Sequence, residues 1–182
     1  MKKLFFVPAA AAMLFLASCG GNSSNDESTT PTEDTTTAPA VTEAPGADIP
    51  GIDSVSVTDN ITLTGSDDMK FDKTLFKVKA GQQVTLDFKN VGKLPAAAMS
   101  HNVVILQQGT DVQKFGEAAV PAAATGHIPP SMTDDVIAHT KLLGPGESDK
   151  ITFTLPDPGV YDFICSFPGH FGTMHGKIVA EK

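Results

Sequence analysis

The chain of 182 residues contains no arginine, no tryptophan and only two cysteines, and each scarcity narrows what it can be. With no Arg and a formal net charge of -8, it lacks the basic surface through which proteins hold nucleic acid, which excludes that class of partner. Two Cys, at positions 19 and 165, cannot build a disulfide framework. The longest apolar run, Leu4 to Ala17, is broken only by Pro8 and is shorter than the roughly 20 residues a spanning helix needs.

That run follows the basic start Met1-Lys2-Lys3 and reads as an export signal over residues 1–18. Its end, Leu16-Ala17-Ser18-Cys19-Gly20, resembles the cleavage and lipidation box of bacterial lipoproteins. The resemblance implies acylation at Cys19 and attachment to a cell-envelope membrane. Gly20, where an acidic residue would favour the inner membrane, points to the outer membrane, facing the periplasm. Residues 19–50 are Ser, Thr, Pro, Ala and Gly with scattered acids and no Lys, the composition of a disordered tether. As a flexible coil it would reach roughly 30 Å.

Residues 51–182 are expected to form one domain. Val84 to Phe88 and Ile151 to Leu155 alternate apolar and polar residues as half-buried strands do. Val55 to Val57, Ile61 to Leu63, Leu75 to Val78, Val103 to Leu106, Val136 to Leu143 and Lys177 to Ala180 are further strand candidates, separated by Gly- and Pro-containing turns. Short strands without long helical patterns predict an all-β sandwich. Residues 108–132, rich in Gly, Ala and Pro, break the rhythm. They read as a flap outside the sandwich, with a short helix over Asp111 to Ala119 and with His127 and Met132 as ordinary loop residues.

With Cys19 acylated, Cys165 is the only free thiol of an exported domain, a liability unless a metal or deep burial holds it. It opens a Cys-x4-His-x3-Met run, Cys165, His170 and Met174. His101 heads an alternating run whose Val103 and Ile105 share its face, and it is the best candidate for a second imidazole. One thiolate, two imidazoles and a weak axial thioether form the ligand set of a copper electron-transfer site. Sulfur donors favour Cu(I) and nitrogen donors accommodate Cu(II), so a single ion can cycle between the two with little rearrangement. His139 and His175 read as surface or packing residues.

At these positions the chain resembles the azurins and the related membrane-attached auracyanins over residues 60–182. The likeness rests on Ser66-Asp67-Asp68-Met69-Lys70-Phe71, Leu94-Pro95, Met99-Ser100-His101-Asn102, Val136 to Gly144, Gly146 to Asp149 and Phe163 through Met174. It implies a Greek-key sandwich with an equatorial His101, Cys165 and His170, and an axial Met174. The same resemblance implies that the Ser100 carbonyl approaches from the opposite side and that Asn102 and the backbone amides around Ser166 and Phe167 tune the thiolate. The edge of His170 then lies in a small apolar patch with Leu94, Pro168, Phe171 and Gly172, suited to brief contact with c-type cytochromes or an oxidase or reductase. The domain is expected to be monomeric.

Departures from the pattern carry their own expectations. Ser100 stands where azurins have Gly, Val103 where several have a core Trp, and no Cys remains for the azurin disulfide. Asn90 replaces a buried His that makes some azurins sense pH, so no such coupling is expected. A copper-storing or copper-delivering lipoprotein is the alternative with the same ligands, although such a protein would expose its site for exchange. Five His without a His-x-His pair cannot build the extra centres of a multicopper oxidase, and no hydrolytic constellation is present. The chain therefore reads as an electron carrier and not an enzyme.

Overall fold

The computed structural model describes residues 45–182. The export signal, Cys19 and the tether up to residue 44 lie outside the described residues. Short alternating runs set the described elements: β1 (Asn60–Ser66), β2 (Lys70–Phe71), β3 (Leu75–Lys79), β4 (Gln83–Asn90), α1 (Ala96–Met99), β5 (Val104–Leu106), α2 (Val112–Ala119), β6 (Val136–His139), β7 (Ser148–Thr154), β8 (Gly159–Ile164) and β9 (His175–Glu181). In β4 the alternation is complete: Val84, Leu86, Phe88 and Asn90 are buried between less buried neighbours. Its last inward position is thus an amide rather than a hydrocarbon.

Two sheets result, in the orders β2-β1-β4-β7 and β3-β9-β8-β5-β6. β1 lies parallel to β4 and β3 parallel to β9, while the other neighbours are antiparallel. This is the predicted β-sandwich, with few and short helices. Between the sheets Leu63, Leu86 and Phe88 from one side meet Val103, Ile105, Phe163 and Ile178 from the other. Phe163 is the aromatic centre of this layer, its ring 5.3 Å from that of Phe71 and 5.8 Å from that of Phe76. From within β8 the Tyr161 hydroxyl donates to the Asp157 carbonyl at 2.8 Å and closes the turn that precedes the strand.

β5 is buried on both faces because the flap covers its outer side. Val104, Leu106 and Ile164 pack there against Phe115 and Ile128. The flap helix forms where the sequence predicts it, as α2, with Asp111 as the N-cap accepting from the Lys114 amide at 3.0 Å.

Two strand expectations are shortened. Val55 to Val57 makes only an isolated bridge from Val57 to Lys77. The run from Val136 to Leu143 is a strand only to His139. Beyond it the Thr140 hydroxyl captures the Val103 amide at 2.9 Å, taking a bond that a continued ladder would have used. At the N-terminal side, Gly46 lies against Val179 of β9, Ile49 bonds back to Gly46, and Ile52 is buried.

Phe163→Ala is expected to destabilise the fold by about 3–5 kcal/mol, because the vacated volume lies between two other rings that cannot both collapse into it. Phe163→Leu should lose clearly less. Denaturant unfolding of the two variants beside the wild type measures both.

Candidate metal centre

The three donors come from the segment before β5 and from the loop that joins β8 to β9. Cys165 directly follows β8, and its amide donates to the Met174 carbonyl at 2.9 Å, which pinches the loop between β8 and β9 shut. Inside that loop the amides of Thr173 and Met174 both donate to the His170 carbonyl, at 3.0 and 2.8 Å, and curl the backbone around the imidazole. His101 precedes β5 and exchanges both backbone hydrogen bonds with Leu143, at 3.0 and 2.8 Å.

The donors meet out of contact with water. Nδ1 of His101 and Nδ1 of His170 are 3.2 Å apart, and the Cys165 sulfur is 3.8 Å from the first and 3.6 Å from the second. All three residues are buried, and together they form the ligand group His101, Cys165 and His170. A first-row metal bonds imidazole nitrogen at about 2.0 Å and thiolate sulfur at about 2.3 Å. At those lengths the observed separations subtend roughly 105° between the nitrogens and roughly 115–125° to the sulfur, a flattened trigonal arrangement. The residues present fit one copper ion.

In the metal-free site the electrostatics favour ligation at the imidazoles and oppose it at the thiol. Burial pushes the Cys165 thiol up to about 11, against the opposing pull of the Asn102 and Phe167 backbone amides. Burial, and then the neighbouring His101, lower His170 to about 4. Burial also lowers His101; the Ser66 backbone and Asp67 counteract it only in part. The Ser66 carbonyl does not reach hydrogen-bond geometry, and Nε2 of His101 is buried without a partner. At neutral pH both rings are therefore uncharged and present lone pairs, as metal ligands must.

The other expected residues are found as follows. Met174 is fully buried. Its Cε lies 2.7 Å from where a Cβ on Gly65 would sit, and His101 Cδ2 lies 3.3 Å from the same point. Ser100 is buried, its hydroxyl donating to the Ala96 carbonyl at 2.7 Å. The Asn102 Oδ1 accepts from the Ser166 amide and its Nδ2 donates to the Ser166 hydroxyl, both at 2.9 Å. Phe167 lies over His170, with ring centroids 4.8 Å apart. Leu94 is 45 % exposed, whereas Pro168 and Phe171 are half-buried.

His139 and His175 are exposed, with Nδ1 bonded to the Thr140 and Phe171 carbonyls respectively. His127, expected as an ordinary loop residue, is instead buried, with its ring edge on Phe167.

Two contributors escape a reading by residue chemistry. Gly65 leaves the space that Met174 and Phe88 occupy. Asn90, fully buried, donates from Nδ2 to the Met99 carbonyl at 3.1 Å and the Leu143 carbonyl at 3.0 Å, and accepts from the Gly92 amide at 2.9 Å. It thereby braces both backbone segments that hold His101. The signal for both is phase: each falls on the inward beat of its strand without being apolar and bulky.

A β-sandwich that seals one thiol and two imidazoles into a trigonal group is the architecture of a cupredoxin. The sequence from residue 58 to 181 matches the family of copper-binding proteins described as plastocyanin/azurin. The chain is similar to the azurin of Bordetella pertussis, 37% identical over 123 residues that cover 65% of this chain and 81% of that protein. It is similar to outer membrane protein H.8 of Neisseria gonorrhoeae, 38% identical over 125 residues, 64% of each. Among solved structures, reduced auracyanin from Roseiflexus castenholzii superposes with a TM-score of 0.63 at 36% identity, covering 70% of this chain and all of that one. The chain belongs to the plastocyanin/azurin family, and its His-Cys-His site makes it a type 1 copper electron-transfer protein that binds one copper ion.

Two outcomes are expected. Loading copper must displace the Cys165 proton, so below about pH 11 apparent affinity rises about tenfold per pH unit and about one proton leaves per ion. Below about pH 4 His170 is protonated too, and the dependence steepens. Proton release on titrating the metal-free chain with Cu(II) at constant pH checks the stoichiometry. Gly65→Ala is expected to force Met174 aside, destabilising the metal-free protein by about 1–3 kcal/mol and altering the visible spectrum of the copper form. Denaturant unfolding and absorption spectroscopy read the two effects separately.

Proposed function

We propose that this protein is a membrane-tethered carrier of single electrons in a bacterial cell envelope. In it His101, Cys165 and His170 are the equatorial copper ligands, Met174 is the axial one, and the Ser100 carbonyl lies opposite. The observation that carries this reading is the burial of two imidazole Nδ1 atoms against a single thiol within 3.8 Å. When bound, copper supplies a one-electron Cu(II)/Cu(I) couple. The chain's own residues do the rest: they hold the ligands, exclude water and offer a route to the surface.

Asn102 tethers Ser166, and the backbones of Asn102 and Phe167 pull the Cys165 pKa down against the effect of burial. Hydrogen bonds of this kind withdraw charge from a thiolate and set its potential. His170 is the natural port, being 3 % exposed where His101 and Cys165 are wholly covered. Leu94 is exposed, and Pro168 and Phe171 in the His170 loop are half-buried; this reading takes them as a small apolar contact, suited to a c-type cytochrome or an oxidase or reductase that docks briefly. Likeness to a protein named for the outer membrane supports placement at that membrane; the lipidation box at Cys19 is the anchor in this reading, with the domain working as a monomer in the periplasm. A copper store or chaperone must exchange its ion, and ligands this buried oppose exchange; that favours a carrier over such a role and over an enzyme.

The test is the copper-loaded chain beside Cys165→Ser. The wild type is expected to show an intense blue thiolate-to-copper band and narrow copper hyperfine splitting, both lost in the variant. Colourless protein, or the spectrum of ordinary tetragonal copper, would return the site to storage or delivery.

A further inference from the structure

We propose that the flap is a positioning device for the His170 imidazole. Residues from α2 and the turn after it clamp Phe167 and Phe171, the two aromatic residues that flank the ligand in its loop, and Gly116 is the position that lets the clamp close. The inference rests on His170 being a copper ligand.

Phe171 follows His170 directly, and its ring lies on the bare backbone of α2. A methyl group at Gly116 would overlap the ring at Cγ, Cδ1 and Cε1. The helix beneath is fixed, because Phe115 and Ala119 on the same element are fully buried.

On the other side of the ligand, the Phe167 ring sits 4.8 Å from that of His170 and receives the edge of His127 at 5.3 Å and 71°. His127 has a left-handed backbone, with a φ of 65°, that non-glycine residues rarely hold. Two bonds keep it there: its amide donates to the Ala122 carbonyl and its Nδ1 to the Ala119 carbonyl, both at 2.9 Å. A third tie joins the flap to the thiolate side, where Asn102 Nδ2 donates to the Gly126 carbonyl at 3.2 Å.

The loop's own hydrogen bonds fix the His170 backbone, but Gly169, Gly172 and Thr173 are exposed, so side-chain packing on the ring's neighbours comes from the flap. Cu(I) and Cu(II) prefer different geometries, so a ligand free to follow them would slow each transfer. An imidazole held through both neighbours on a packed helix cannot follow.

The test uses the full chain as wild type, Gly116→Ala, Phe171→Leu, the double variant, and His127→Leu. The readouts are the visible band, the reduction potential and electron self-exchange of the copper form, and His170 ring NMR of the metal-free form. Gly116→Ala is expected to shift the band and the potential, slow self-exchange several-fold and broaden the His170 ring signals. The double variant should recover much of this, because leucine has no ring to overlap the added methyl. His127→Leu should move the potential in a chain that stays folded.

If Gly116→Ala lowers only the melting temperature, leaving spectrum, potential and exchange as in the wild type, the clamp is overturned. Should that variant not fold, unmoved readouts in Phe171→Leu and His127→Leu overturn it equally. A wild-type chain with no blue band removes the copper reading and the clamp together.

Discussion

Three lone-pair donors facing one another in a sealed interior are a conflict that no apolar core can settle. The two Nδ1 atoms can share at most one proton between them, and the sulfur at 3.6–3.8 Å is a weak partner for either. A fourth polar atom, His101 Nε2, is also buried without a bond. Unsatisfied groups of this kind are destabilising by about 1–3 kcal/mol each. A cation between the two Nδ1 atoms and the sulfur turns their mutual exclusion into coordination. His101 and Cys165 are wholly covered, and burial keeps the rings uncharged.

The bracing is redundant in a way that suits the chemistry. The Cys165–Met174 backbone bond closes the ligand loop from within. Asn90 fixes the His101 segment from below, and it does so with an amide that has no charge to gain or lose across the pH range where histidines titrate. Gly65 and Asn90 are register partners across the parallel β1–β4 pair, so the space beneath Met174 and the brace beneath His101 are products of the same strand pairing. One sheet thus supplies the floor of the site and the other its ligands.

What could be read in advance was whatever lies close together in the sequence. Cys165, His170 and Met174 share one loop, and their spacing is visible without any fold. His101 needed one further step, the alternation that puts it in phase with Val103 and Ile105, both buried as expected. The contributions of Gly65 and Asn90 depend on which strands pair and in what register, which residue identity alone does not encode. His127 looks like a loop residue in the sequence because its partner, Phe167, is far away in sequence and the flap has no periodicity to reveal an inward face. The strand expected to run on to Leu143 stops at His139 for a similar reason: the Thr140 hydroxyl is a local competitor for a backbone donor, and hydrophobic pattern does not register hydrogen-bond competition.

The single described thiol has a further consequence for stability. No disulfide braces the described domain, since Cys165 is its only cysteine. A metal bound by both His101 and Cys165 joins positions 64 residues apart. By the loop-entropy relation a cross-link of that span stabilises by about 4 kcal/mol. Unlike a disulfide, it is not broken by adding an electron, because imidazole and thiolate ligands serve both copper oxidation states. The bond that must stay intact during the working cycle is therefore also one that can strengthen the fold, and loss of the ion, rather than its reduction, is the event that loosens the protein.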